Sequence, residues 1–187
     1  MKKTPLPMHL LLVAALFLGS SAEAGDVKRE ILVPEGWEGA YDFGYAPAIR
    51  VGDQIILSGI PNGGSGDYEE RTRRMYQRAV ELLEAAGASL DDVIELTTFH
   101  TESKTSAAFR EEFARYMPIH REFFGEHRPV WTAVGTSVLL SPNATVEMRV
   151  MAIAGSGAQS EVVRPKRDQP EQPSESADPP KDAKEKP

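Results

Sequence analysis

An α+β fold, one mixed sheet with two helices on one face, is what this sequence predicts. Three observations lead there. Short runs rich in β-branched residues stand at both ends of residues 26–154 and in the middle. Two longer segments between them repeat apolar residues at helical spacing. Their order, hairpin, helix, strand, helix, two strands, leaves no helix for the second face of the sheet.

The elements follow in chain order. "REILVPE", Arg29 to Glu35, reads as a short strand ended by a proline. "APAIRVGDQIILSGIP" holds two β-rich runs, Ala48 to Val51 and Gln54 to Ser58, around the turn signal Gly52-Asp53, so a hairpin is expected. "NGGSGD", Asn62 to Asp67, is a loop. From Tyr68 to Ala86, Met75, Ala79, Leu82, Leu83 and Ala86 recur on one helical face, and charged residues mostly take the other. Gly87 supplies a stop, and Ser89 is a candidate cap for a single turn. "VIELTTFH", Val93 to His100, is a strand. Ser106 to Phe124 is the second helix, with Phe109, Phe113, Tyr116 or Met117, and Phe123 as its buried stripe. Pro118 should kink or split it. Val130 to Leu139 and Ala144 to Ala154 are the closing strands, joined by "SPN". The uncovered sheet face predicts self-association.

The ends of the chain are compositionally distinct. Met1-Lys2-Lys3, the apolar run "LLLVAALFL" and Ala22-Glu23-Ala24 have the parts of a cleavable export signal. Cleavage is expected after Ala24, which makes residues 1–24 a signal peptide and places the protein in the periplasm or outside the cell. The apolar run is too short to span a bilayer comfortably, so no membrane association is expected after cleavage. Residues 155–187, rich in Pro, Ser and charge, have too few large apolar residues to offset ordering entropy and read as a disordered tail. Residues 25–154 remain as one domain.

Composition narrows the chemistry. The 187 residues contain no cysteine, which excludes disulfides, thiolate nucleophiles and Cys-ligated zinc. A net charge of −7 argues against a nucleic-acid partner. No G-x-S-x-G, P-loop, H-E-x-x-H or G-x-G-x-x-G is present. His100, His120 and His127 lack metal-ligand spacing, so no metal is expected. Glu147 stands out within "ATVEMRVMAIA". Strand alternation puts Glu147, Arg149 and Met151 on one face. An exposed Glu147–Arg149 pair explains it structurally; a poised carboxylate explains it functionally. Ser58-Gly59 ends a strand, where it either simply turns or presents backbone amides to a ligand.

Four segments carry a resemblance: "GYAPAIRVGDQIILSGIP", "LEAAGASLDDVIELTTF", "RPVWTAV" and "VEMRVMAIA". In that order, from Gly44 to Ala154, they resemble the Rid family, the YjgF/YER057c/UK114 or L-PSP group. The resemblance implies a chorismate-mutase-like fold and a homotrimer with ligand clefts between subunits. It also implies cofactor-free hydrolysis of reactive enamines and imines to keto products and ammonia. It places Glu147 as the catalytic, water-handling carboxylate. Tyr45, Ser58 and Gly59 become substrate-binding residues, with Ala133 as a backbone donor. The family's carboxylate-gripping arginine falls on Trp131. An indole has one N–H and no charge, so this departure removes an anchor of about 2–5 kcal/mol if desolvated. Arg128 and Arg149 are the nearby cations that could replace it. The functional expectation is a small-molecule imine or enamine deaminase with altered substrate choice. The alternatives are a non-catalytic ligand-binding trimer and a holdase-like interaction protein.

Overall fold

The structure is a computed structural model in which residues 27–165 are described; the expected signal peptide and the tail beyond Pro165 lie outside them. Seven strands form one sheet. They are β1 (Arg29–Leu32), β2 (Ala48–Val51), β3 (Gln54–Leu57), β4 (Ile60–Pro61), β5 (Val93–His100), β6 (Val130–Gly135) and β7 (Val146–Ile153). Their spatial order is β1-β2-β3-β7-β5-β6, with β4 also paired to β7. The expected hairpin is β2–β3, with Val51 opposite Gln54. β5 and β6 are parallel and joined through the helix α3 (Ser106–Phe124). A parallel pair requires such a crossover.

Two long helices cover one face. In α2 (Tyr68–Ala85), Asp67 accepts from the Glu70 amide at 2.8 Å, and Glu70 accepts from the Asp67 amide at 3.2 Å. This reciprocal cap is worth about 0.5–2 kcal/mol. Met75, Tyr76, Ala79, Leu82 and Leu83 of α2 are buried against Ile55, Leu57, Leu96, Val146, Met148 and Val150 of the sheet. Each buried large aliphatic side chain contributes about 1.5–3 kcal/mol. Gly87, at φ +76°, ends the helix as expected.

Four local expectations change. A short helix, α1 (Glu38–Phe43), follows β1 and ends at Gly44 (φ +119°). Its six residues carry no buried stripe, so helical periodicity is silent there. Helix α3 passes Pro118 without a break, and its buried side is Glu112, Tyr116, Ile119, His120 and Phe124, while Phe113 and Phe123 flank the core half-buried and Phe109 packs on His100 at 5.0 Å between centroids. β6 stops at Gly135, four residues before Leu139, because the chain leaves the β5 ladder after His100. Past Ala154 the backbone makes a 3₁₀ turn, Gly157–Gln159, whose Gly157 amide donates to Asp92 at 3.0 Å.

Among the described residues, no helix covers the second face. β7 alternates strictly, with Val146, Met148, Val150 and Ala152 toward the helices and Glu147, Arg149 and Met151 away from them. Val130 and Val134 of β6 are exposed on the same open side. Among the described residues, no helix is long and apolar enough to cross a membrane.

Candidate active site

Glu147 sits at the end of β7, opposite Phe99 of β5 and Pro61 of β4. Asn62 fixes this end. Its side-chain oxygen accepts from the Thr145 and Val146 amides at 2.8 and 2.9 Å, and its amide group donates to Thr72 and Thr145 at 3.3 Å. Asn62 is 1% exposed, so these bonds hold the β4–β7 junction rigidly.

The Glu147 carboxylate lies over Gly59. A Cβ on Gly59 would stand 2.0 Å from Oε1 and 2.9 Å from Cδ. Only a glycine leaves room for that carboxylate without a shift. Burial raises the Glu147 pKa above the ordinary carboxylate value. Among the described residues, no basic side chain lies within 4.0 Å of it to pull the pKa back. Arg149, on the same face, pairs loosely with Glu95 at 3.6 Å instead.

Ser58 and Tyr45 adjoin this end. The Ser58 hydroxyl donates to the Ala46 carbonyl at 2.7 Å and its amide donates to Pro47 O at 3.0 Å, which pins the segment after Tyr45 beside β3. Tyr45 is exposed and meets Phe43 edge-on at 6.2 Å between centroids. The fold thus gathers Tyr45, Ser58, Gly59 and Glu147 at one end of the sheet.

Trp131 and Ala133 lie elsewhere within this chain. They pair with Leu96 and Thr98 of β5 and share the helix-facing side. The Trp131 ring stacks on His120 at 4.4 Å and packs against Phe113 and Tyr116 at 5.0 and 5.7 Å. Its Nε1 donates to Thr98 Oγ1 at 3.1 Å. Arg128 is exposed and bound to Gly125 and His127 carbonyls at 2.8 and 2.9 Å. Neither cation occupies the Trp131 position.

Behind Trp131 runs a buried polar chain. Thr98 Oγ1 lies 3.0 Å from His100 Nε2, His100 Nδ1 lies 2.8 Å from Glu112, and Ser103 donates to Glu112 at 2.7 Å. Desolvation opposes the Glu112 charge, but the bonds from His100 and Ser103 outweigh it and leave its pKa lowered. His100 and Thr98 are fully buried, so this Thr-His-Glu order is a core network rather than an accessible nucleophile. Residues 98–112 carry no sequence signal for it, because Thr98 and His100 on β5 meet Ser103 of the following loop and Glu112 of α3 only in the fold.

Comparison with known proteins fixes the lineage. Residues 41–154 match the family described as Endoribonuclease L-PSP. A RutC family protein of Pyrococcus abyssi is 33% identical over 115 residues, covering 58% of this chain and 84% of that protein. The solved structure of Rv2704 from Mycobacterium tuberculosis, a member of the YjgF/YER057c/UK114 family, superposes with a TM-score of 0.58. It is 28% identical and covers 68% of this chain and 100% of its own. TdcF of Escherichia coli, described as a candidate reactive intermediate deaminase, is 23% identical over 116 residues, covering 59% of this chain and 84% of that protein. With the matched family spanning most of the described fold, the chain is a member of the Endoribonuclease L-PSP family, the Rid or YjgF/YER057c/UK114 group.

Proposed function

We propose that the protein is a cofactor-free hydrolase of reactive imines or enamines, with Glu147 as general base. One observation carries this: a half-buried carboxylate with a raised pKa, lying over Gly59 and without a cationic partner within ion-pair distance. A base whose pKa moves toward neutrality takes a proton from water more effectively. Water adds to the C=N carbon as Glu147 removes its proton. That proton passes to nitrogen and gives a carbinolamine; Glu147 then carries the proton of the new hydroxyl to nitrogen as the C–N bond breaks, so ammonia leaves and the oxygen becomes the product's carbonyl. No electron changes hands, so no redox cofactor is called for. The similarity to TdcF supports the same reaction class.

Arg149, two residues along the same face, is the side chain we assign to an anionic substrate group. Its 3.6 Å contact with Glu95 is long enough to exchange for a better partner. The open face, with Val130 and Val134 exposed, supports a homotrimer that covers it and closes a cleft over Glu147. A second reading, a cleft that binds without turnover, is favoured by Trp131, whose single donor is committed to Thr98.

One assay separates them. An amino-acid oxidase generates 2-iminobutyrate in the presence of the full chain, and ammonia release is followed. Acceleration over buffer that disappears in Glu147→Gln supports the hydrolase. No acceleration sinks it and leaves the binding reading.

A further inference from the structure

Three arginines of α2 line a groove beside β4, whose Pro61 pairs with Glu147 in the sheet ladder. Arg71, Arg74 and Arg78 recur at spacings of three and four and therefore share one helical face. With Trp37, Pro61 and Gly63 they bound a cavity of about 390 Å³. That is within the range of small-molecule sites, about 300–1,000 Å³.

Each guanidinium is held by uncharged groups. Arg71 donates from Nε to Asp67 O at 3.3 Å and from Nη1 to Asn143 O. Arg74 donates to Ser65 O. Arg78 lies 4.2 Å from the centroid of the Trp37 ring, which is itself 6% exposed. Among the described residues, none of the three has a carboxylate within 4.0 Å. Two carboxylates, Glu35 and Glu81, also line the groove but stay beyond that distance. The neighbouring Arg73, by contrast, forms a two-pronged pair with Glu122 at 2.8 Å in both prongs.

Like charges at these spacings destabilise a helix by about 0.2–0.5 kcal/mol per pair. Here they are concentrated on one face of a chain with net charge −7. Each guanidinium has five N–H groups, and the contacts above engage at most two of any one. From Arg71 to Arg78 the helix rises about 10 Å. A single phosphate cannot bridge that length; a linked chain of phosphates brings several charges along it.

We propose that this groove binds a small ligand carrying two or more linked phosphate groups. It is a second site, independent of the hydrolase reading. Tripolyphosphate titrated into the full chain, followed by calorimetry, tests it. Expected is saturable binding, one per chain, roughly tenfold or more tighter than orthophosphate or citrate, because the multiple forks are charge-assisted. Arg74→Ala should weaken it about fivefold or more, whereas Arg110→Ala, an equal charge change on exposed α3 surface, should stay within about twofold. Arg78→Lys keeps the charge and the helix but loses the fork, and should weaken binding about threefold or more. Absence of saturable binding overturns the site. Equal losses in Arg74→Ala and Arg110→Ala overturn it in favour of diffuse attraction. Citrate binding as tightly as tripolyphosphate overturns the assignment to phosphate.

Discussion

The Glu147 carboxylate occupies the space that a side chain on Gly59 would fill, with Oε1 2.0 Å from the Cβ position. The glycine is therefore part of how the carboxylate is placed. Gly59→Ala must push the carboxyl aside. Its collision is with the end of a side chain, so the fold should lose only about 1 kcal/mol. Imine hydrolysis should fall roughly tenfold or more, since small displacements of a base are costly. Thermal unfolding and the ammonia assay together check this; a large stability loss with full activity would show that Gly59 serves the backbone alone.

Glu147→Gln should separate stability from activity. The raised pKa means that the folded state disfavours the ionised carboxylate relative to the unfolded chain. That cost is fully present above the folded pKa and fades as pH falls to the ordinary carboxylate value and below. The variant should thus be more stable at pH 7, with the gain shrinking in acid. Wild-type hydrolysis should rise with pH through the Glu147 pKa, and the variant should lose both the rate and that limb. Denaturant curves and a pH–rate profile are the measurements. An unchanged rate in Glu147→Gln would remove the carboxylate from the mechanism.

His120 should control stability in mild acid. Its ring lies between Trp131 and Phe124, with centroids at 4.4 and 4.6 Å, and Nδ1 is 3.1 Å from Tyr76 Oη. Burial first, then the charges of Arg128, Arg121 and His127, depress its pKa to about 4. Below about 6.5 the unfolded chain takes up a proton that the folded chain refuses. Stability from neutral His120 is complete above that pH and is lost progressively down to about 4, by at most about 3 kcal/mol. Glu112, whose pKa is lowered, acts only below the ordinary carboxylate range, so the windows differ. His120→Phe should flatten the decline between about pH 6.5 and 4 while losing about 1 kcal/mol at pH 7 with the Tyr76 bond. Melting temperatures across that pH range check it; an unaltered slope would assign the acid sensitivity elsewhere.

The sheet, both long helices and the open face were readable because each rests on local periodicity. The alternation of Val146, Glu147 and Met148 alone determines which way Glu147 faces. The helix stripe of α3 was only partly readable, because Glu112 and His120 are polar and become core residues through partners on other elements. Asn62 belongs to the same class: its neighbour in space, Val146, is 84 residues away. Pairing Glu147 with Arg149 was a sensible reading of spacing, but Glu95 on the adjacent strand competes for the guanidinium. Trp131 shows the limit most clearly. Its place in the sequence suggests a cleft, while its contacts in this chain are those of a core aromatic.

Trp131 loses only its Nε1 bond to Thr98 and part of its ring area in Trp131→Phe. Thr98 Oγ1 keeps His100 Nε2 at 3.0 Å, so it is not left unpaired. The cost should be about 1–2 kcal/mol, from one hydrogen bond and reduced packing on His120, Phe113 and Tyr116. Because the indole faces away from Glu147 within the chain, kcat/KM for imine hydrolysis should change by no more than about threefold, well under the 1.4 kcal/mol of a tenfold change. Chemical denaturation and steady-state kinetics on the same preparation check both halves. A variant with undiminished stability but a tenfold higher KM would mean that Trp131 contacts substrate across a subunit boundary. The Thr98–Trp131 hydrogen bond would then be a way of orienting the indole for a neighbouring chain.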